Sequence, residues 1–237
     1  MKDAIETESG YESLMSGNKK QNVTGKLDYV VVEGPIGVGK TSLANRLAEV
    51  LGSDTLLEQP TENPFLERFY QSPKNYGLPT QLFFLFQRAR QIEALKQSDM
   101  FRPSIVADFM LEKDALFART NLDDDELRLY EQVYAQLKLE LPVPDLVVYL
   151  QAPSNVLSER IRRRGIDFER RIERDYLDKL VDAYTQFFYT YREAPLLVVN
   201  AAEINFVDKD GDFQLLLEHI RKINSGRHFF NPAMRAI

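Results

Sequence analysis

The chain contains no cysteine, no tryptophan and only two histidines, His219 and His228. The lack of cysteine excludes disulfides, thiol nucleophiles and thiolate metal sites. Two histidines leave little material for a histidine metal cluster or a Ser-His-Asp triad. No run approaches the roughly 18 apolar residues that a membrane helix needs. The amino-terminal segment has no apolar core, so no signal peptide is expected. Basic excess is missing as well: 30 Lys and Arg stand against 36 Asp and Glu, for a net charge of −6 and a pI near 5.2. That balance argues against a general nucleic-acid binder. The expectation is a soluble cytoplasmic protein with neither nucleic acid nor membrane as partner.

The 237 residues, 44% hydrophobic, can bury a sizeable core within one α/β domain. Residues 1–26 are polar, rich in Ser, Gly, Asn and Lys, and lack periodicity, so they read as a flexible tail ahead of a domain spanning 27–237. Within that domain, apolar runs alternate with helical patterns. Strands are expected at Asp28–Glu33 (DYVVVE), Thr55–Glu58, Ser104–Asp108, Asp145–Gln151 and Pro195–Asn200. Helices are expected at Lys40–Leu51, Thr80–Lys96, Asp123–Glu140, Ser154–Arg164, Glu173–Arg192 and Phe213–Ile220. Strands that are apolar throughout and separated by helices indicate a five-stranded parallel sheet covered on both faces, a three-layer α/β sandwich. Ligands of such sheets sit beyond the carboxyl ends of the strands. Gly34, Glu58, Asp108 and Gln151 fall at those ends.

Between the first strand and the first helix runs GPIGVGKT, Gly34 to Thr41. This is the G-x-x-x-x-G-K-[ST] spacing of a P-loop. Gly34, Pro35, Ile36, Gly37, Val38 and Gly39 would turn backbone N–H groups around phosphate oxygens. The following helix would add the positive end of its dipole. Lys40 can reach the outer phosphates, and the Thr41 hydroxyl suits Mg²⁺. A glycine turn without chemistry would not need to follow a strand and open a helix, as this one does. An N-K-x-D guanine reader is missing, which disfavours a GTPase switch. A motor ATPase would need a longer chain and a strand ending in paired acids, whereas Phe109 follows Asp108.

A small kinase needs a base near the acceptor hydroxyl and a cationic lid, and candidates for both are present. Glu159–Arg174 (ERIRRRGIDFERRIER) holds seven arginines in sixteen residues around Gly165. A solvated helix face is the plainer account of that run, but consecutive arginines repel one another. A glycine hinge beside them suits a segment that closes on polyphosphate. Glu58, in LLEQP, is either a strand-end carboxylate with a local hydrogen bond or a general base. Phe65, Tyr70, Phe83, Phe84, Phe86 and Phe117 are mostly core candidates, since a flat ligand needs only one or two rings.

Taken together, EGPIGVGKTSL, LLEQP, Tyr70 eleven residues before Gln81, Arg88 seven further on, and VYLQAP leading into the arginine run resemble the deoxynucleoside kinases, over about Leu27 to Asn200. The resemblance is to the deoxycytidine/deoxyguanosine/deoxyadenosine kinase group, bacterial type. It implies transfer of the ATP γ-phosphoryl group, with Mg²⁺, to the 5′-hydroxyl of a deoxynucleoside in nucleotide salvage, by a homodimer. It also implies that Glu58 takes the hydroxyl proton and that Tyr70 and Glu169 hold the sugar 3′-hydroxyl. Gln81 would meet the base edge with Arg88 and an acid nearby, and Phe117 would stack on the base. Arg160 and Arg164 would close on the ATP phosphates, and Asp108 would partner Mg²⁺ with Thr41. One place departs from the family. Its acid-Arg-Ser triplet is replaced by VADFMLEKDALFA, in which Phe109 stands for the arginine, leaving Arg68, Arg88 or Lys113 to supply that cation. Asp114 has the spacing of the base-side acid. Deoxyadenosine is the expected substrate, with deoxyguanosine or deoxycytidine secondary and thymidine poor. Two alternatives stay open: a thymidylate-type nucleoside monophosphate kinase, and a nucleotide-binding regulatory protein without turnover.

Overall fold

The computed structural model describes residues 27–97, 104–137, 139 and 142–232. The tail assigned to residues 1–26 lies outside them, as do residues 138 and 140 of the helix expected to end at Glu140. The chain runs β1 (Tyr29–Glu33), α1 (Lys40–Leu51), β2 (Asp54–Leu56), α2 (Leu66–Gln71), α3 (Pro73–Gln97) and β3 (Ile105–Ala107). It continues with α4 (Lys113–Asn121), α5 (Asp124–Leu137), β4 (Leu146–Gln151), α6 (Ser154–Arg164), α7 (Arg174–Thr190), β5 (Leu196–Asn200), α8 (Asp210–Ile220) and β6 (Arg227–Phe230).

The strands form one parallel sheet in the order β2-β3-β1-β4-β5-β6. It has six strands, not the five expected from sequence. The sixth, RHFF, is short and follows Gly226, and its Phe229 is exposed, so it lacks the apolar run that marks the others. It pairs with β5 in the register Val198↔Phe229. Arg227 anchors it by donating to the carbonyls of Phe188, Tyr189 and Tyr191 at the end of α7.

The two-residue period of β1 divides the core between the faces of the sheet. Val30 and Val32 pack with Leu43 and Leu47 of α1, Leu157 of α6 and Phe213 of α8. Val31 points to the other face, among Val147, Tyr149, Tyr184 and Phe188. Tyr149 and Phe188 stack there with ring centroids 4.2 Å apart. Helix α3 starts at Pro73 and carries Pro79 inside it, so it begins two turns earlier than the sequence pattern suggests. Proline at a helix start forfeits no hydrogen bond, and that makes the early start possible. Sequence periodicity missed α2 and α4. Helix α4 buries Lys113 and Asp114 beside Leu116 and Ala118, and buried charges erase the apolar stripe that would have revealed it.

Strand β1 lies between β3 and β4, so the chain leaves it in both directions. The carboxyl end of β1 is therefore the crevice where such sheets bind ligands. The core around it should govern stability. Leu197→Ala, at a fully buried position of β5, should lower the unfolding free energy by about 2–5 kcal/mol. Val50→Ala, on an exposed position of α1, should change it by less than about 0.5 kcal/mol. Urea titrations of the two variants measure the difference. Equal effects would mean that the sheet between α1 and α8 is not the core.

Candidate active site

Glycine is required in the loop after β1 for two separate reasons. Gly34 has φ 148°, and a Cβ there would collide with the Leu150 carbonyl oxygen. Gly37 has φ 80°, and a Cβ there would stand 2.7 Å from Ile161 Cγ1 of α6. Only glycine adopts such backbone angles in that space. The loop then opens into α1 at Lys40, so the first amides of that helix face the loop. Ile36 to Thr41 line the cavity described below. Gly34 and Pro35 act through their carbonyls, which accept from Lys40 Nζ at 2.8 and 3.3 Å. Burial lowers the Lys40 pKa, with Glu33 opposing the shift. Val38 is fully buried, and its carbonyl accepts from Arg160 of α6.

Asp108, just past β3, joins the loop to the next strand end. Its Oδ2 accepts from the Thr41 hydroxyl at 2.5 Å. Its Oδ1 accepts from the Glu58 backbone N–H at 2.7 Å. The Asp108 N–H in turn donates to Leu56 at the end of β2. Glu58 is therefore fixed by its backbone before its side chain makes any contact.

The Glu58 carboxylate meets two cations. Oε1 accepts from Arg88 of α3, and Oε2 accepts from Lys113 Nζ at 3.1 Å. Arg88 also pairs with the buried Asp114, and Lys113 lies 3.5 Å from Glu33 Oε1. Burial pushes the Glu58 carboxyl up, but Lys113 and then Arg88 outweigh it and bring the pKa down to about 2. Burial pushes Asp114 up to about 6, with Arg88 opposing. Burial raises Glu33 too, with Lys113 and Lys40 opposing. Of the three cations considered for the family arginine, Arg68 is remote from this cluster. It donates to Pro64 on the surface and lies over the rings of Phe65 and Tyr76. Phe109 is buried, with Arg88 and Lys113 each 5.8 Å from its ring centre.

A cavity of about 960 Å³ opens over these strand ends. Glu58, Lys113, Asp108, Gln81, Arg88 and Phe117 line one part of it, and Tyr70, Arg160, Arg164 and Glu169 another. Asp114 is fully buried behind Arg88. Phe117 meets Tyr184 edge-on at 6.1 Å. Tyr70 stacks with Phe168 at 6.2 Å. Arg164 clamps the buried Glu169 through Nε at 3.0 Å and Nη2 at 2.6 Å. Arg160 donates to the carbonyls of Val38 at 3.1 Å and Ala201 at 2.6 Å. The residues singled out from sequence thus share one cavity and its floor, but the lid arginines are held by protein oxygens. Sequence reasoning missed Glu33, Tyr184 and Phe206, whose ring abuts Gly39. Glu33 did leave a signal, as the one charged residue closing an otherwise apolar strand.

Residues 30–225 match the family described as deoxynucleoside kinase. The deoxyguanosine kinase of Bacillus subtilis is 32% identical over 202 residues, covering 82% of this chain and 97% of that protein. The deoxyadenosine kinase of Lactobacillus acidophilus is 29% identical over 196 residues, covering 76% and 89%. Among solved structures, the deoxyadenosine kinase of M. mycoides with dCMP and a flexible dCDP superposes with a TM-score of 0.71 at 24% identity. That match covers 82% of this chain and all of the other, and it supports the fold.

The charge arrangement around Glu58 has a measurable signature. Because its folded pKa is depressed, Glu58 adds stability that is fully present above 4.5 and is lost as pH falls through about 2. A ¹³C-carboxylate titration of the free protein should place the Glu58 midpoint near 2 rather than 4.5. A midpoint at or above the ordinary value would mean that Arg88 and Lys113 do not hold the carboxylate in solution.

Proposed function

This chain belongs to the deoxynucleoside kinase family, and from that premise we propose how its site works and which nucleoside it prefers. It is a phosphotransferase that phosphorylates deoxynucleosides. The observation that carries the proposed assignment of roles is Asp108. It ties the P-loop hydroxyl and the Glu58 backbone to one carboxylate, so the donor and acceptor halves share a floor.

In this proposal ATP is the donor. Its phosphates lie on the amides of residues 34–41, and Lys40 exchanges its two carbonyl partners for the outer phosphates. The Thr41 hydroxyl and Asp108 carboxylate offer two hard oxygen donors, which fits Mg²⁺, an ion that keeps several of its waters. Bound there, Mg²⁺ would neutralise charge on the β- and γ-phosphates. Arg160 and Arg164 would leave their protein oxygens and close on the transferring group. Glu58 would take the proton of the 5′-hydroxyl. Tyr70 and Glu169 would hold the 3′-hydroxyl, Gln81 the base edge, and Phe117 the base face. Positioning and charge stabilisation would supply most of the rate. The product would be a deoxynucleoside monophosphate, as nucleotide salvage requires.

The base preference rests on the Arg88–Asp114 pair. A free Arg88 would offer donors only and would suit a carbonyl such as guanine O6. Paired, Arg88 is backed by Asp114, whose buried Oδ2 has no partner among the described residues and would accept from a 6-amino group that came past Arg88. Gln81 adds one donor and one acceptor in a plane, which matches the N6/N7 edge of adenine. Deoxyadenosine is therefore the proposed preference, ahead of deoxyguanosine or deoxycytidine, with thymidine poor. A thymidylate-type kinase would need a further cation for the acceptor's phosphate, and the two cations beside Glu58 are already paired with acids.

The proposal also includes a homodimer and a cytoplasmic location. Phe86 and Leu129 are exposed on the neighbouring helices α3 and α5, which supports self-association there. No described helix is long and apolar enough to cross a membrane. Sedimentation of the protein and of Phe86→Glu checks the dimer. A wild-type monomer at micromolar concentration would refute it. Cell fractionation checks the location, and recovery with membranes would refute it.

Steady-state kinetics test the enzymology. Lys40→Ala should abolish turnover in a folded protein. Glu58→Gln should lower kcat by about 10²–10⁴, nearer the lower end because proton transfer is late along a dissociative path. The four deoxynucleosides should rank by kcat/KM with deoxyadenosine first. Near-normal activity of Lys40→Ala would overturn the kinase mechanism, and a clear thymidine preference would overturn the base assignment.

A further inference from the structure

Lys113 sits where neither helix chemistry nor burial favours a lysine. It is the first residue of α4, so the positive end of the helix dipole opposes its charge. Its side chain is only 3% exposed. Taking an ammonium group out of water is costly, and apolar residues often serve such positions equally well. Stability alone therefore does not account for it.

Its surroundings suggest what does. The Lys113 ammonium carries three N–H donors. One is committed, to Glu58 Oε2 at 3.1 Å. Glu33 Oε1 lies 3.5 Å away and makes no hydrogen bond to any described residue, so it neutralises the charge without saturating the donors. Arg88, the other cation at Glu58, is held differently, with its rigid planar fork spanning two acids. Its Nη1 goes to Asp114 and its Nη2 to Glu58, and its Nε is buried without a partner. Lys113 also lines the cavity. Its free, rotatable N–H groups therefore stand at the carboxylate that would take the acceptor's proton.

We propose that Lys113 is the acceptor-side catalytic cation of phosphoryl transfer, held in place by Glu33 and Glu58. The inference rests on the kinase mechanism above and adds two residues to it. In the step, the acceptor oxygen forms a bond to the γ-phosphorus of the nucleoside triphosphate. The acceptor's proton passes to the Glu58 carboxylate. The bond from the γ-phosphorus to the β–γ bridging oxygen breaks, and its electron pair leaves on the diphosphate. A Lys113 N–H points at the acceptor oxygen and an equatorial phosphoryl oxygen, where negative charge lies between the two partners. Lys113 takes no part in the proton's path. Glu33 is a positioning residue, which keeps the ammonium from swinging wholly onto Glu58.

The experiment compares wild type, Lys113→Met, Lys113→Arg and Glu33→Gln, with kcat and nucleoside KM measured separately and folding checked by thermal melting. Loss of a preorganised cation should lower kcat of Lys113→Met by about 10²–10³. Its nucleoside KM should stay within about threefold, because the base and sugar contacts are made elsewhere. Lys113→Arg should recover at least about tenfold of the lost kcat, since guanidinium also presents charged donors. Glu33→Gln should lower kcat several-fold with KM unchanged. Should Lys113→Met fail to fold, Lys113→Arg and Glu33→Gln decide the matter. A folded Lys113→Met with kcat within threefold of wild type overturns the proposal. So does a Lys113→Arg variant inactive while folded, or a Glu33→Gln variant with unchanged kcat. If wild type turns over no deoxynucleoside, the kinase mechanism itself fails. If wild type is active and the variants match it, only the role of Lys113 fails.

Discussion

The site is held together by mutual neutralisation of charges that water hardly reaches. Glu33, Asp108 and Asp114 are buried at the strand ends and behind Arg88, and Glu58 is nearly so. Arg88 and Lys113 are buried among them. Each cation is shared between two acids: Arg88 between Glu58 and Asp114, and Lys113 between Glu58 and Glu33. Removing one member of such a set strands its partner in a medium that cannot solvate it, at a cost of about 3–5 kcal/mol. Geometry follows from this. Helices α3 and α4, which carry Arg88 and Lys113, are drawn onto the ends of β1 and β2, and the cavity above them takes its shape from that docking.

Sharing also explains the protonation of Glu58. A carboxylate buried alone would be raised above its ordinary range. Two cations within contact reverse the sign and keep it ionised. The cost appears on the neighbours, for Asp114 is raised by burial in the same cluster. One acid is held ionised while others are displaced the opposite way, a pattern expected where several titratable groups share one low-dielectric space.

Much of this was legible in the sequence, and the exceptions have physical causes. The P-loop announced itself because glycines, lysine and threonine must occupy fixed spacings to wrap a phosphate, whatever fold surrounds them. Helix α6 was read with its observed bounds because Leu157 and Ile161 mark its buried face and Gly165 its end. Strand β6 was invisible because its length and half-exposed side chains carry no apolar run. Helix α4 was invisible for a more informative reason: two of its four buried positions, Lys113 and Asp114, are charged. Periodicity detects burial of apolar residues. It fails where a helix is docked by ion pairs, and here that failure coincides with the candidate active site. Three cations were open as replacements for the family arginine, and contacts separate them where spacing could not. Arg68 faces solvent, Arg88 is fixed as a planar fork between two acids, and Lys113 keeps free, rotatable donors.

The unliganded contacts also bear on how such an enzyme avoids wasting its donor. Lys40 is held by the Gly34 and Pro35 carbonyls, Arg160 by the Val38 and Ala201 carbonyls, and Arg164 by Glu169. In the proposed complex each turns from these partners toward a phosphate. Exchanging a neutral carbonyl for a phosphate oxygen is favourable, because charge-assisted hydrogen bonds are roughly twice as strong. Arg164 differs, since leaving Glu169 exposes a buried carboxylate that then needs a new donor. In the proposed complex that donor is the sugar 3′-hydroxyl. Release of Arg164 to the phosphates is therefore coupled to occupancy of the sugar site. On that proposal, closure of the lid would cost least with nucleoside and triphosphate present together, which would disfavour transfer to water.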